Sequence, residues 1–188
     1  RRFNREAQTI ASLSHPSVAH IYGIGEVPRL AGRLLYIVME HVDGPSVEKI
    51  LEKEGKIPSD RAIRLVRDTA LGLKAAFAKG IVHRDIKPSN LLVNSSGALK
   101  IVDFGLAKEL GGESSITDEG IVMGTPHYIS PEQGRGRAVD HRSDMYSLGC
   151  VIYQLLLGQP PFRSDTATAT LYQHVDTAPV PLRQRGVD

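Results

Sequence analysis

Cysteine is nearly absent from this chain of 188 residues, Cys150 being the only one, and that excludes an internal disulfide. It lies in the apolar run CVIYQLLLG, so it reads as a buried structural thiol rather than a nucleophile, and it fits a reducing compartment. No apolar run approaches the roughly twenty residues that cross a bilayer, and the opening RRFNREAQ lacks the apolar segment of a signal peptide. These residues therefore read as soluble and cytoplasmic, a membrane anchor outside them being compatible with that. Charge of one sign is scarce as well: Lys and Arg number 23 against 21 Asp and Glu, a net charge of +2 with no block of like charges. Neither nucleic acid nor a membrane surface is then an expected partner. Internal repeats and low-complexity segments are missing. What remains, 41% hydrophobic and 23% charged residues, is the composition of one ordinary globular domain with a sizeable core.

Residues 3–13 place Phe3, Ala7, Ile10 and Leu13 at helical spacing, and His15-Pro16 should end that helix. VAHIYGIGEV and RLLYIVME are short β-branched runs separated by Pro28 and Gly32 and read as two strands of a small sheet. Between Ser59 and Gly80, Ile63, Val66, Ala70, Leu73 and Phe77 recur at steps of three and four, which predicts an amphipathic helix with a serine start and a glycine stop. LLVN and LKIV flank the turn residues 95–98, predicting a hairpin that brings HRDIKPSN (83–90) beside VDFG (102–105). Residues 106–129 carry no period and predict a long functional loop. YSLGCVIYQLLLG is apolar on nearly every face and predicts a helix buried in the domain centre. The order is that of a two-part α+β protein.

HRDIKPSN and DFG together contain what phosphoryl transfer needs: oxygen ligands for a metal ion that holds phosphates, a carboxylate for the attacking hydroxyl and a cation for the transferring oxygens. Asp85 can orient the hydroxyl and accept its proton, Asn90 and Asp103 offer hard oxygen ligands for magnesium, and Lys87 can neutralise the γ-phosphate. Singly, such Asp and Asn residues are most often solvated turn residues. Their joint spacing is what makes that bland explanation improbable.

In these motifs the chain resembles the catalytic domain of the protein kinases. Four residues separate Asp85 from Asn90, Asp103-Phe104-Gly105 follows the hairpin, Ser130-Pro131-Glu132 stands for the usual Ala-Pro-Glu, and VDHRSDMYSLG is similar to the buried central helix, with Asp144 bracing the catalytic loop. The resemblance implies a kinase-like α+β fold: residues 1–44 as a partial N-lobe, with helix C, β-strands and hinge, and residues 45–188 as most of a mainly helical C-lobe. Lys87 and Gly124-Thr125-Pro126 resemble the serine/threonine branch, where Thr125 would bond Asp85 and Lys87, and GTPHYISPEQ is most similar to bacterial members. It implies ATP and Mg2+ (or Mn2+) as cofactors, protein substrates phosphorylated on Ser or Thr, and self-association for autophosphorylation. Glu6 would pair with an ATP-anchoring lysine, Met39 would be the gatekeeper, Glu40 and Val42 would meet adenine through the backbone, and Leu92 would lie beneath it. Ile10, Ile21, His83 and Phe104 would stack as a spine between the lobes. Ser114, Ser115 and Thr117 stand where activating phosphates are accepted, with Arg84, Lys108 and Arg2 to bind them. Ser89 and Ser46 replace the acidic residues of basic-directed relatives, so no preference for arginine upstream of the target is implied.

Residues 1–188 contain neither the glycine-rich phosphate loop and strand lysine that precede Glu6 in that family nor the later helices whose arginine pairs with Glu132. With Arg1 at one end and the loop-like PVPLRQRGVD at the other, the chain reads as a piece of a longer one. Alone it is expected to be unstable and nearly inactive, because a lone buried carboxylate at Glu132 is unfavourable. A pseudokinase-like binding module is the alternative function, disfavoured by the intact Asp85, Lys87, Asn90 and Asp103.

Overall fold

The computed structural model describes residues 12–29, 32–104 and 126–187. The helix expected over residues 3–13 falls largely outside them, as does most of the expected 106–129 loop.

Strands β1 (Ile21–Arg29) and β2 (Gly32–Met39) pair antiparallel, Ile21 opposite Met39 and Gly25 opposite Tyr36. Pro28 does not separate the strands as expected; it lies inside β1 opposite Arg33. A proline fits there because a two-stranded sheet consists of edges, where one N–H can be given up. Alternation turns Ile37 and Met39 onto the core while Tyr36 and Val38 face outward.

The chain then enters the larger part through Gly44. A Cβ there would lie 1.9 Å from the Val93 carbonyl oxygen, so only glycine lets the backbone pass. Helix α1 (Val47–Glu54) starts at Ser46, whose hydroxyl accepts the Lys49 N–H at 3.3 Å, and buries Val47, Ile50 and Leu51. Helix α2 (Ser59–Phe77) buries Ala62, Leu65, Thr69, Gly72, Leu73 and Ala76.

That face is turned about one residue from the expected one: Ile63 is 65% exposed and Phe77 48%. The reason is close packing. α2 lies against β4 (Leu99–Ile101) and the central helix, and a Cβ on Gly72 would come within 2.7 Å of Ile101 Cδ1. Small residues decide the contact face, whereas the apolar period was weighted by the bulky ones. The helix starts at Ser59 as expected, but Pro58 is the N-cap, no side chain caps the helix, and Gly80 (φ 73°) lies three residues past its end.

β3 (Leu91–Val93) and β4 form the expected hairpin, with Leu91 opposite Ile101. Its turn is organised by Asn94, whose Oδ1 accepts the backbone N–H groups of Ser96 (3.1 Å) and Ala98 (2.8 Å). β4 is stitched to the segment before β1, since Ala19 N–H donates to Ile101 O and Ile101 N–H to Ser17 O, both at 2.9 Å.

After the short helix α3 (Pro131–Gly134) comes the central helix α4 (His141–Leu157). It begins five residues before the apolar run, within the stretch VDHRSDMYSLG that the resemblance implied, because the Asp140 carboxylate caps it by accepting the Arg142 N–H at 2.8 Å. Cys150 is buried within it, and burial pushes its thiol up to about 12, which is the inert structural cysteine expected. Helix α5 (Ala167–Asp176) follows.

α5 carries His174, only 3% exposed. Its Nδ1 lies 2.9 Å from the Tyr146 hydroxyl and its ring meets Phe162 edge-on at 4.8 Å. Burial, with His127 adding to it, pushes the imidazole down to about 4. Unfolded histidine titrates near pH 6.5, so below that pH the unfolded chain takes up a proton that the folded one refuses. Stability from His174 is therefore complete above about pH 6.5 and declines as pH falls toward 4, by roughly 2–3 kcal/mol. Melting temperature followed from about pH 7.5 to 4.5 should fall in the parent and fall less steeply in His174→Gln; equal slopes would assign the acid sensitivity elsewhere.

Candidate active site

The site is assembled on the connection between α2 and β3. His83 is fully buried there. Its Nδ1 accepts the Asp85 N–H at 3.2 Å, so the proton sits on Nε2, which donates to the Val102 carbonyl at 2.9 Å. Burial pushes its pKa below the ordinary value. A neutral imidazole with both nitrogens engaged is a structural part and not a base, and its ring packs at a tilt against Phe104, centroids 4.7 Å apart.

Asp144, in the first turn of α4, accepts the N–H groups of His83 (2.8 Å) and Arg84 (2.7 Å). Burial pushes its carboxyl up even though those two donors draw it down. The carboxylate thus anchors the loop where Arg84 takes a left-handed conformation, φ 67°, which is strained for a residue with a Cβ.

Beyond this anchor three sequence-selected side chains come together. Lys87 Nζ lies 2.8 Å from Asp85 Oδ2. Asn90 Nδ2 donates both to the Asp85 carbonyl (2.8 Å) and to Asp85 Oδ2 (3.1 Å). Both bonds use the amide nitrogen, so Oδ1, the hard oxygen, is the end of Asn90 not engaged with Asp85. Asp103 is brought alongside because Val102 N–H donates to the Asn90 carbonyl at 3.0 Å. It is exposed and also left-handed, φ 59°, a conformation Asp tolerates better than most residues.

Among the described residues no group of three His, Cys, Asp or Glu side chains could hold a metal ion as a cage. The donors here are one carboxylate and one amide oxygen, a set that suits magnesium arriving with phosphates, since that ion keeps water and phosphate ligands and needs few from protein.

Where β2 ends, Met39 is partly buried against the main core, while Val42, Ala19 and Val102 form a separate apolar cluster with Leu92 packed on it. Glu40 follows Met39 directly. Its carboxylate accepts the His20 N–H at 2.9 Å and pairs with Lys100 Nζ at 2.8 Å. Burial alone would raise its pKa, but Lys100 and the His20 N–H outweigh it and hold the carboxyl below the ordinary value. Ile21, His83 and Phe104 are all buried. Glu132 is half-buried rather than a lone buried charge, and the Ser143 hydroxyl donates to it. Arg2, Glu6, Ile10, Lys108, Ser114, Ser115, Thr117 and Thr125 lie outside the described residues.

Three contacts had no counterpart in the sequence reading: Lys100 with Glu40, Ser143 with Glu132, and Gln133 with Arg84. Strand alternation puts Lys100 on the face opposite Leu99 and Ile101, a signal that was available; a partner sixty positions away was not.

The model of the protein kinase domain family matches residues 1–185. This chain belongs to the protein kinase domain family. It is similar to serine/threonine-protein kinase PknB of Mycobacterium leprae, 46% identical over 184 residues that make up 98% of this chain and 30% of that protein. PknB of Mycolicibacterium smegmatis is 46% identical over 188 residues, 100% of this chain and 30% of that protein. A probable serine/threonine-protein kinase PknB of Corynebacterium glutamicum is 39% identical over 181 residues, 96% of the chain and 28% of that protein. The kinase domain residues here thus span about 30% of the length of these curated relatives. The expected kinase-like α+β fold and the likeness to bacterial serine/threonine kinases are borne out. ATP and Mg2+ are the general requirement of this family. No helix among the described residues is long and apolar enough to cross a membrane.

Proposed function

We propose that these residues form the catalytic core of a kinase that transfers the γ-phosphoryl group of ATP to serine or threonine hydroxyls of protein substrates. The observation that carries this reading is the convergence of Asp85, Lys87 and Asn90 on one another, with the loop that bears them anchored by Asp144.

Bound Mg-ATP supplies the phosphoryl group and neutralises charge that develops on it. Asn90 and Asp103 would hold the metal ion, Mg2+ or alternatively Mn2+. Asp85, half exposed, orients the substrate hydroxyl and receives its proton. Lys87 rests on Asp85 in a solvent-accessible ion pair, weak enough to be exchanged for a phosphate oxygen, and Thr125 would complete the Asp85–Lys87 group. Met39, the Glu40 and Val42 backbone and Leu92 would enclose adenine, and Glu6 would pair with an ATP-anchoring lysine. Residues 1–44 act as N-lobe and hinge, residues 45–188 as C-lobe. Ser114, Ser115 or Thr117 would accept activating phosphates, and Arg84 and Lys108 would bind them.

The Glu40–Lys100 pair secures the hinge to β4. Lys100→Met strands a partly buried carboxylate there, and it should raise the KM for ATP about 3–10-fold while kcat stays within twofold. Steady-state kinetics check this, and an unchanged KM would remove the pair from hinge positioning. The function itself is tested by magnesium-dependent transfer of labelled phosphate to a generic protein substrate by the full-length protein and its Asp85→Asn variant. Transfer that requires Asp85 supports a kinase; nucleotide binding with no transfer would indicate a pseudokinase-like module.

A further inference from the structure

Gln133, the residue after Ser130-Pro131-Glu132, spans from the end of the segment that follows DFG to the catalytic loop. Its side-chain amide is used at both ends. Oε1 accepts the Ser130 N–H at 3.1 Å, and Nε2 donates to the carbonyl of Arg84 at 2.9 Å, 49 residues away in sequence. The first bond belongs to a capping box, since Ser130 Oγ accepts the Gln133 N–H in return at 3.3 Å. Such a box needs only an oxygen at the side-chain terminus, and glutamate serves as well as glutamine. The second bond needs an N–H donor, which glutamate lacks at neutral pH.

The Arg84 carbonyl lies in the same planar peptide unit as the Asp85 N–H. That N–H is held by His83 Nδ1 at 3.2 Å. The plane between Arg84 and Asp85 is therefore pinned on both edges, by Gln133 through its oxygen and by His83 through its nitrogen. One residue earlier, the Arg84 N–H is pinned by Asp144 at 2.7 Å. With its two flanking peptides restrained, Arg84 is kept at its left-handed φ of 67°, a conformation that persists only when its surroundings over-determine it. The plane so fixed sets the direction in which the Asp85 side chain leaves the backbone.

We propose that Gln133 is a positioning residue for phosphoryl transfer: it aims Asp85 by holding the Arg84–Asp85 peptide, and it couples that aim to the fold of the 130–134 turn. This rests on the kinase reading above and deepens it. Ser130 is fully buried and Gln133 half-buried, so the link is sheltered from competing water.

The test uses the full-length protein with Gln133→Glu and Gln133→Met. Gln133→Glu keeps the capping oxygen and removes the donor. Backbone amide exchange over residues 83–86 should accelerate about tenfold, kcat should fall about tenfold with the KM for ATP within twofold, and the melting temperature should stay within about 2 °C. Gln133→Met, neutral and of similar length, should give the same gain in exchange. Unchanged exchange and unchanged kcat in Gln133→Glu would overturn the proposal. So would an effect confined to Gln133→Glu, which would trace to repulsion by the carboxylate, or a kcat loss matched by a general fall in melting temperature and a parallel rise in KM. Exchange reads the restraint without catalysis: were the parent protein to transfer no phosphate, the kinase reading would fall while the exchange comparison still decided whether Gln133 holds the loop.

Discussion

Asp85→Asn is expected to lower phosphoryl transfer by about three orders of magnitude and to leave folding and nucleotide binding nearly unchanged. Asparagine fills the same volume and still offers an oxygen to Asn90 Nδ2, which donates to Asp85 Oδ2 at 3.1 Å. What disappears is the carboxylate as proton acceptor, a role that typically contributes 10²–10⁴-fold, together with the ion pair to Lys87. That pair involves side chains 52% and 37% exposed, so its loss changes stability by less than about 1 kcal/mol. Rate and stability should therefore separate cleanly. Labelled-phosphate transfer and a thermal melt on the same preparation measure both. Transfer retained within tenfold would mean that another group takes the proton, and a melting temperature lowered by many degrees would mean that Asp85 supports the fold.

Asp144→Ala should do the opposite and damage both. The carboxylate is buried and holds two backbone donors, His83 N–H and Arg84 N–H. Without it each buried N–H is left unpaired, at about 1–3 kcal/mol apiece. Part of this is offset because a carboxylate that burial already disfavours no longer has to be desolvated. A net loss of about 3 kcal/mol corresponds to roughly 6–12 °C in melting temperature for a domain of this size. The strained Arg84 conformation would then relax, Asp85 would leave its position, and kcat should fall at least a hundredfold. Calorimetry with amide exchange at His83 and Arg84 tests the account. Exchange there unaltered by the substitution would show that other contacts hold the loop.

The two substitutions differ because the residues sit at different depths of one construction. Asp85 is at the solvent edge, where a side chain can act on a substrate but adds little to stability. Asp144 is underneath, where it touches no substrate and acts only through the backbone it restrains. Gln133 works on the next peptide, between Arg84 and Asp85, and Glu40 with Lys100 links the end of β2 to β4.

What the sequence could determine is what local spacing encodes. The interval from Asp85 to Asn90, the Asn94 turn that returns the chain to Asp103, and the apolar run of α4 each depend on residues close together in the chain. They sufficed for the family and the hairpin, and they single out Asp85, Lys87, Asn90 and Asp103 as the candidate reacting side chains. The contact face of α2 did not follow from spacing, because small residues select it, Gly72 through close approach to Ile101 and Ala76 by its burial, and these add little to an apolar period. Nor did the start of α4, where the Asp140 cap outweighs a polar first turn, or the place of Pro28 inside β1. The links of Glu40 with Lys100, Gln133 with Arg84 and His174 with Tyr146 join positions 60, 49 and 28 residues apart. Only tertiary structure decided them, since a hydrogen bond needs its two groups within about 3 Å, and which distant groups meet is settled by how the helices and strands pack.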